Sequence, residues 1–82
     1  MNINDLPFKQ YDVWKRPHAT MIYKLEIDLI KNNFVTYTIT ANLVETNMEY
    51  KETKLEPLEK FIDIFNEKIQ KEDNWILVQR KL

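Results

Sequence analysis

Few side chains in this 82-residue sequence could take part in chemical catalysis. The chain contains no cysteine and no serine, the usual nucleophiles of acyl transfer, and threonine needs an adjacent base or the amino terminus for that role. It also contains no glycine, which excludes the phosphate-binding turns of P-loop and dinucleotide-binding proteins, because a side chain there would collide with the phosphate. We therefore predict a protein with no enzymatic activity, no catalytic residues and no cofactor.

The titratable residues are too dispersed to predict a metal or acid–base site. His18 is the only histidine, which rules out multi-imidazole metal sites, and it follows Pro17 in a stretch typical of a loop. A single acid–base group or an anion contact formed with Lys15 and Arg16 is the functional alternative to a solvated loop histidine. The aspartates are scattered over different elements, so we predict no carboxylate metal site.

A cluster of glutamates in the second half of the sequence predicts an acidic interaction face. Residues 34–75 carry nine acids against five lysines, whereas both ends of the chain are slightly basic. The glutamates recur every three or four residues, which would align them on a helix but spread them over a solvated face in a strand. They are Glu45, Glu49, Glu52, Glu56 and Glu59. Glu49 and Glu52 are the acidic candidates for contact with a partner.

Basic and aromatic residues near the two ends of the chain form a second candidate surface. Cations interleaved with aromatic rings are typical of single-strand binding, which makes a nucleic-acid-binding accessory protein one alternative function. Ordinary solubilising charge is the other interpretation, because a net charge of −1 gives no overall attraction to nucleic acid. With the glutamates, the candidate interaction surface comprises Tyr11, Trp14, Lys15, Arg16, His18, Glu49, Glu52, Arg80 and Lys81.

Two runs of alternating apolar and polar residues predict an antiparallel hairpin. Apolar side chains alternate from Met21 to Leu29 and again from Val35 to Leu43, the period of two that buries one face of a strand. Lys31-Asn32-Asn33 lies between the runs, and asparagine is common in turns because it tolerates left-handed backbone. Residues 48–55 are predicted as a third, charged edge strand, with a helix as the alternative.

An amphipathic helix is predicted from Pro57 to Lys71. Apolar residues recur there at spacings of three and four, which places them on one stripe: Leu58, Phe61, Ile62, Phe65 and Ile69. Asp73-Asn74 ends the pattern, and residues 75–80 are predicted as a final strand. The predicted fold class is α+β, in which an antiparallel meander of three to four strands carries one amphipathic helix on one face.

The first twenty residues contain more apolar side chains than a free tail would carry. We predict an ordered arm or one short helix near Pro7 to Lys15, laid against the sheet as a lid. The Phe8 to Trp14 cluster is open to two interpretations, core or docking surface. The whole chain is predicted as one domain, residues 1–82. Its core is expected to contain Met21, Tyr23, Leu25, Ile27, Leu29, Tyr37, Ile39, Phe61, Ile62 and Phe65.

Two stretches occur in an order that is also seen elsewhere: Met1-Asn2-Ile3-Asn4-Asp5-Leu6 and, beyond the predicted sheet, Leu58-Glu59-Lys60-Phe61-Ile62 with Phe65. They resemble the opening and the central helix of small phage anti-CRISPR proteins that inhibit Cas9. The resemblance covers only these two stretches. It implies a phage-encoded protein that inhibits a partner protein.

Composition and hydropathy favour a small protein that acts by binding. No apolar run approaches the roughly 18 residues needed to cross a bilayer, and the first residues lack the order of a signal peptide, so we expect a cytoplasmic protein. Lysine, asparagine and isoleucine are abundant, as in AT-rich genes of phages and mobile elements. The leading hypothesis is a small binding protein of such origin that docks on and modulates a host or phage protein. A structural homo-oligomer is a further alternative.

Overall fold

The computed structural model describes residues 5–71 and 74–81, which form an antiparallel sheet with one helix against it. Helix α1 (Leu58–Ile64) continues without a break as a π-helical segment (Phe65–Gln70). The strands are β1 (Val13–Pro17), β2 (Met21–Lys31), β3 (Phe34–Leu43), β4 (Glu49–Pro57) and β5 (Ile76–Gln79). The predicted α+β class, with a sheet meander and one helix, is confirmed.

The sheet has the strand order β4-β3-β2-β1-β5, and every neighbouring pair is antiparallel. Residues 48–55 lie mostly in edge strand β4, so the strand interpretation of that segment is confirmed. The described sheet has five strands because the N-terminal segment supplies β1, which lies between β2 and β5. The segment near Pro7 to Lys15 was predicted as an ordered arm or one short helix, and part of it forms β1 (Val13–Pro17) in place of a helix. The N-terminal segment forms a strand because it pairs with the long strand β2. No local sequence pattern shows this pairing.

Asparagine takes the turn positions that glycine fills in other proteins. Asn32 and Asn33, the two residues between β2 and β3, have φ values of 54° and 64°. Two successive left-handed residues define the hairpin turn whose twist matches that of the flanking strands. The predicted turn is confirmed. It fixes the register in which Lys31 pairs with Phe34.

A bulge in β2 reverses the alternation that the sequence suggests. Ile27 pairs with Tyr37 and Leu29 with Thr36, so Asp28 is an extra residue with no residue directly opposite it in the β3 register. After Asp28, the positions of β2 whose side chains face the core are shifted by one residue. Leu29, which we predicted in the core, is exposed, and Ile30 packs against the core instead.

The core lies between the helix and one face of the sheet. Phe61 and Phe65 on the helix contact Phe8 with ring centroids 4.9 and 5.0 Å apart, and Phe61 contacts Tyr37 at 4.7 Å. Such aromatic pairs add to the free energy of burial. The helix follows the predicted span closely. The predicted break at Asp73 lies outside the described residues.

Candidate protein-docking surface

The helix covers only part of the sheet face on which it packs. Thirteen helical residues extend about 20 Å, whereas a strand as long as β2 or β3 extends about 33 Å. The alternation of the strands continues beyond the helix. Register pairing aligns Arg16, Tyr23, Ala41 and Tyr50 in one row across β1 to β4 on this face, and Met21 opposite Leu43 in the next. These two rows lie beyond the helix in the described part of the chain, and we call them the uncovered rows. Leu43 and Tyr50 in them are exposed, and the other four residues are half-buried.

A groove opens between the helix and the sheet where this row begins. Its volume is about 240 Å³. Ile39 and Tyr23 both line the groove from the sheet. Because Tyr23 also belongs to the first uncovered row, the groove continues into the uncovered rows. The apolar lining consists of Tyr23, Leu25, Tyr37, Ile39, Phe61, Ile64, Phe65, Ile69 and Trp75. An apolar groove with a few polar groups at its border is the usual form of a binding site.

The charged residues that line the groove are both basic. Arg16 and Lys68 lie on opposite sides of it, one on β1 and the other on the π-helical segment. The guanidinium carbon of Arg16 lies 6.0 Å from the centre of the Tyr23 ring, within the range of a cation–π contact. The groove is therefore complementary to a ligand that combines apolar surface with negative charge.

Tyr37 is the buried titratable residue in the groove lining. Burial, assisted by the negative charges of Glu56 and Glu52, raises the pKa of Tyr37 above its ordinary value. The phenol therefore stays neutral at physiological pH, and it adds no negative charge that would oppose an anion. The groove and the two uncovered rows together form one surface, the docking face.

The docking face includes one of the nine predicted surface residues as a lining side chain, Arg16. Tyr23, Leu43 and Tyr50 were missed, because the alternation of the strands assigns such residues to the core or gives them no role. Tyr50 pairs with Ala41 on the core side of the sheet, yet it is 68% exposed. The difference in length between the predicted helix and the predicted strands is the signal that could have revealed an uncovered end.

The remaining predicted residues are dispersed over the molecule. Trp14 packs edge-on against Phe65, with ring centroids 5.3 Å apart, and belongs to the core side of the sheet. Lys15 pairs with Lys24 on the opposite face of the sheet. His18 lies in the exposed loop after β1, where its Nδ1 is 3.5 Å from the backbone nitrogen of Thr20.

Three further candidates lie at the junction of the N-terminal turn and β5. Arg80 forms a bidentate ion pair with Asp12, and the Lys81 ammonium lies 5.3 Å from the centre of the Tyr11 ring. Glu49 and Glu52 are on β4 at the far edge of the sheet, with two strands between them and β1. The structure thus does not gather the basic and acidic candidates into one surface.

No family model, curated protein or solved structure matches this chain. Among residues 5–71 and 74–81, no group of three or more acidic or histidine side chains is placed to hold a metal ion. No helix in the same part of the chain is long and apolar enough to cross a bilayer.

Proposed function

We propose that this chain is a non-enzymatic protein-binding module that docks on a partner protein through the docking face. The observation that carries the proposal is the apolar groove, bordered by Arg16 and Lys68, which continues into uncovered strands. The partner offers an apolar segment that enters the groove and carries at least one acidic side chain. Binding modulates the partner by covering part of its surface.

A protein partner fits this surface better than a small molecule does. The apolar area extends beyond the groove across β2, β3 and β4, further than a compact ligand would reach. It contains exposed Tyr50 and half-buried Tyr23 and Arg16, and tyrosine and arginine are among the residue types that dominate binding energy at protein interfaces.

Nucleic acid fits this protein less well, because the basic and aromatic candidate residues are already engaged within the structure. The positive charge of Arg80 is paired with Asp12, and the ring of Trp14 is engaged with Phe65. Stacking platforms for bases require exposed rings beside unpaired cations.

AT-rich composition supports a phage or mobile-element origin, with a protein of the host cell as the partner.

A pair of matched variants tests the proposal. Leu43 on the docking face is 38% exposed and Leu29 on the opposite face is 43% exposed, so aspartate at either position costs a similar loss of apolar surface. Tagged wild-type protein, Leu43→Asp and Leu29→Asp are each used to capture partners from host lysate, with quantification by mass spectrometry. We expect a captured protein that Leu43→Asp loses and Leu29→Asp retains.

A second variant tests the role of charge. Lys68→Glu should weaken capture of the same protein, because it reverses one of the two positive charges at the groove. Circular dichroism should show all three variants folded. Capture that survives both Leu43→Asp and Lys68→Glu would reject the docking face as the binding surface.

A further inference from the structure

The outer edge of β4 has features that fit a second copy of this chain. β4 is nine residues long, ends the sheet, and has β3 as its neighbour in the described part of the chain. An edge strand presents unpaired backbone groups that can pair with another strand. Strand β5, at the other end of the sheet, has four residues and a bulge in its pairing, and is a much shorter template.

The direction of the backbone groups on β4 follows from two hydrogen bonds. The Leu43 nitrogen donates to the Met48 carbonyl, and the Leu58 nitrogen donates to the Asn33 carbonyl. Both bonds fit the β3–β4 register, in which hydrogen-bonded pairs occur at every second position. The even-numbered residues of β4 therefore direct their N–H and C=O groups at β3. The odd-numbered residues, from Glu49 to Pro57, direct theirs at the open edge.

A twofold axis at Thr53 satisfies these outward groups. Two antiparallel copies of one strand can be related by a twofold axis only if the central residue lies opposite itself. With Thr53 at the centre, Lys51 lies opposite Leu55 and Glu49 opposite Pro57 of the second copy. These are all odd-numbered positions, so each outward N–H from Glu49 to Leu55 meets a carbonyl. Pro57, which lacks an N–H, falls at the end of the paired region.

Side-chain charge is compatible with the same register. With the axis at Thr53, Glu52 lies opposite Lys54 of the second copy, and the reciprocal pair forms by symmetry. Glu52 and Lys54 already lie within 4.0 Å of each other along the strand, so the four side chains would alternate in sign. Moving the axis to Glu52, Lys54 or Lys51 places that residue opposite its own copy, which is repulsive. An axis at Leu55 keeps opposite charges facing each other, Lys54 against Glu56, but it pairs a shorter stretch because Pro57 lies only two residues away. Charge thus opposes three of these registers, and the length of the paired stretch favours Thr53 over Leu55.

We propose that this chain forms a twofold homodimer in which two β4 strands pair antiparallel around Thr53 and extend the sheet across both copies. The two helices lie on the same face of the joined sheet. Such an interface is small, because it consists of one strand from each copy, and the dimer is therefore weak and dependent on concentration. The inference does not rest on the proposed partner binding. Tyr50 of β4 belongs to both surfaces, but the groove and Leu43 take no part in the pairing.

Cysteine cross-linking tests the register directly, because the chain has no cysteine of its own. In a hydrogen-bonded antiparallel pair the Cα atoms are about 5.5 Å apart, a distance that a disulfide can bridge. Thr53→Cys should therefore form a disulfide dimer in a glutathione redox buffer. Lys51→Cys is the matched control on the same strand and face. Its two copies would be about 14 Å apart, from the rise along a strand.

The two remaining positions provide a second check. Lys51→Cys and Leu55→Cys should each stay largely uncross-linked alone, but a mixture of the two should give the mixed disulfide. Equal cross-linking of Thr53→Cys and Lys51→Cys would overturn the proposed register, as would a mixture that gives all disulfides equally.

Charge reversal tests the interface without any covalent bond. Glu52→Lys and Lys54→Glu each place like charges opposite one another twice and should raise the dimer dissociation constant by at least about tenfold. An equimolar mixture of the two variants should restore the affinity, because each lysine then faces a glutamate. Sedimentation velocity over a range of concentrations measures both effects. A wild-type protein that stays monomeric throughout, or variants that associate as well as wild type, would refute the dimer.

Discussion

Asp12 and Arg80, 68 residues apart in sequence, form the closest ion pair in the described structure. The Asp12 carboxylate is completely buried, and it accepts hydrogen bonds from Arg80 Nε at 2.9 Å and from a terminal guanidinium nitrogen at 2.8 Å. The backbone nitrogen of Lys9 donates a third hydrogen bond to the same carboxylate. This ion pair joins the N-terminal turn to the residue that follows β5. The hydrogen bond to Asp12 raises the pKa of Arg80, against partial burial and together with the attraction between the charges.

Removing the cation from this pair should destabilise the fold. Arg80→Met leaves the buried carboxylate of Asp12 without its counter-ion, and we expect the free energy of unfolding to fall by about 3 kcal/mol. Lys81→Met is the control, because Lys81 is exposed and its loss should change stability by less than about 0.5 kcal/mol. Urea unfolding followed by fluorescence measures both. Equal stability of the two variants would contradict a structural role for the pair.

Tyr37 should limit stability at alkaline pH. Its pKa is raised above the ordinary 10.0, so the folded protein holds the phenolic proton more tightly than the unfolded chain does. Ionisation of Tyr37 therefore does not change the free energy of unfolding below pH 10, and it lowers that free energy as the pH rises from 10 through the folded-state pKa. Tyr37→Phe removes this contribution, so the variant should lose less stability than wild type between pH 9 and about pH 11. Urea unfolding at a series of pH values would show the difference. Parallel curves for the two proteins would contradict it.

Trp14 should behave as a core residue and not as a docking residue. Its ring packs edge-on against Phe65 and borders the buried cluster. Trp14→Ala should lower the free energy of unfolding by about 3 kcal/mol, since it leaves a cavity between β1 and the helix. Lys15→Ala, one residue along on the opposite face, should change it by less than about 0.5 kcal/mol. A stable Trp14→Ala protein that no longer captures its partner would reverse the assignment.

Local patterns were sufficient to predict the central hairpin and the helix. Asn32 and Asn33 favour a tight turn through their own backbone preference, and the apolar stripe from Leu58 to Ile69 needs only helical spacing. Both signals involve residues that are close in sequence. These signals can therefore be recognised without knowing which surfaces of the protein pack together.

Features that depend on distant pairing could not be predicted in this way. The bulge at Asp28 moves Leu29 out of the core, and nothing in the alternation marks where a strand gains an extra residue. The partner of Asp12 is at the other end of the chain. Whether Tyr23 and Tyr50 are covered depends on where the helix ends over the sheet, a tertiary property. The candidate site was therefore less predictable than the fold.

Tyr11 occupies a backbone position that suits glycine or asparagine. Its φ is 71°, and its nitrogen donates to the Ile27 carbonyl while the Asp12 nitrogen donates to the Lys9 carbonyl. These bonds define a tight turn over residues 9–12 that runs into a bulge opposite Ile27, where the left-handed residue is usually glycine. For a residue with a Cβ atom this conformation costs roughly 1–2 kcal/mol.

The cost at Tyr11 can be measured by comparing two replacements. Tyr11→Asn and Tyr11→Ala both remove the ring and its contact with Lys81, but asparagine tolerates left-handed backbone and alanine does not. We expect the asparagine variant to be more stable than the alanine variant by about 1 kcal/mol, measured by urea unfolding. Tyr50, in the regular strand β4, is the control position. There the asparagine variant should not be more stable than the alanine variant, because asparagine has a low propensity for strands. Equal stability of the two Tyr11 variants would mean that the left-handed turn carries no strain.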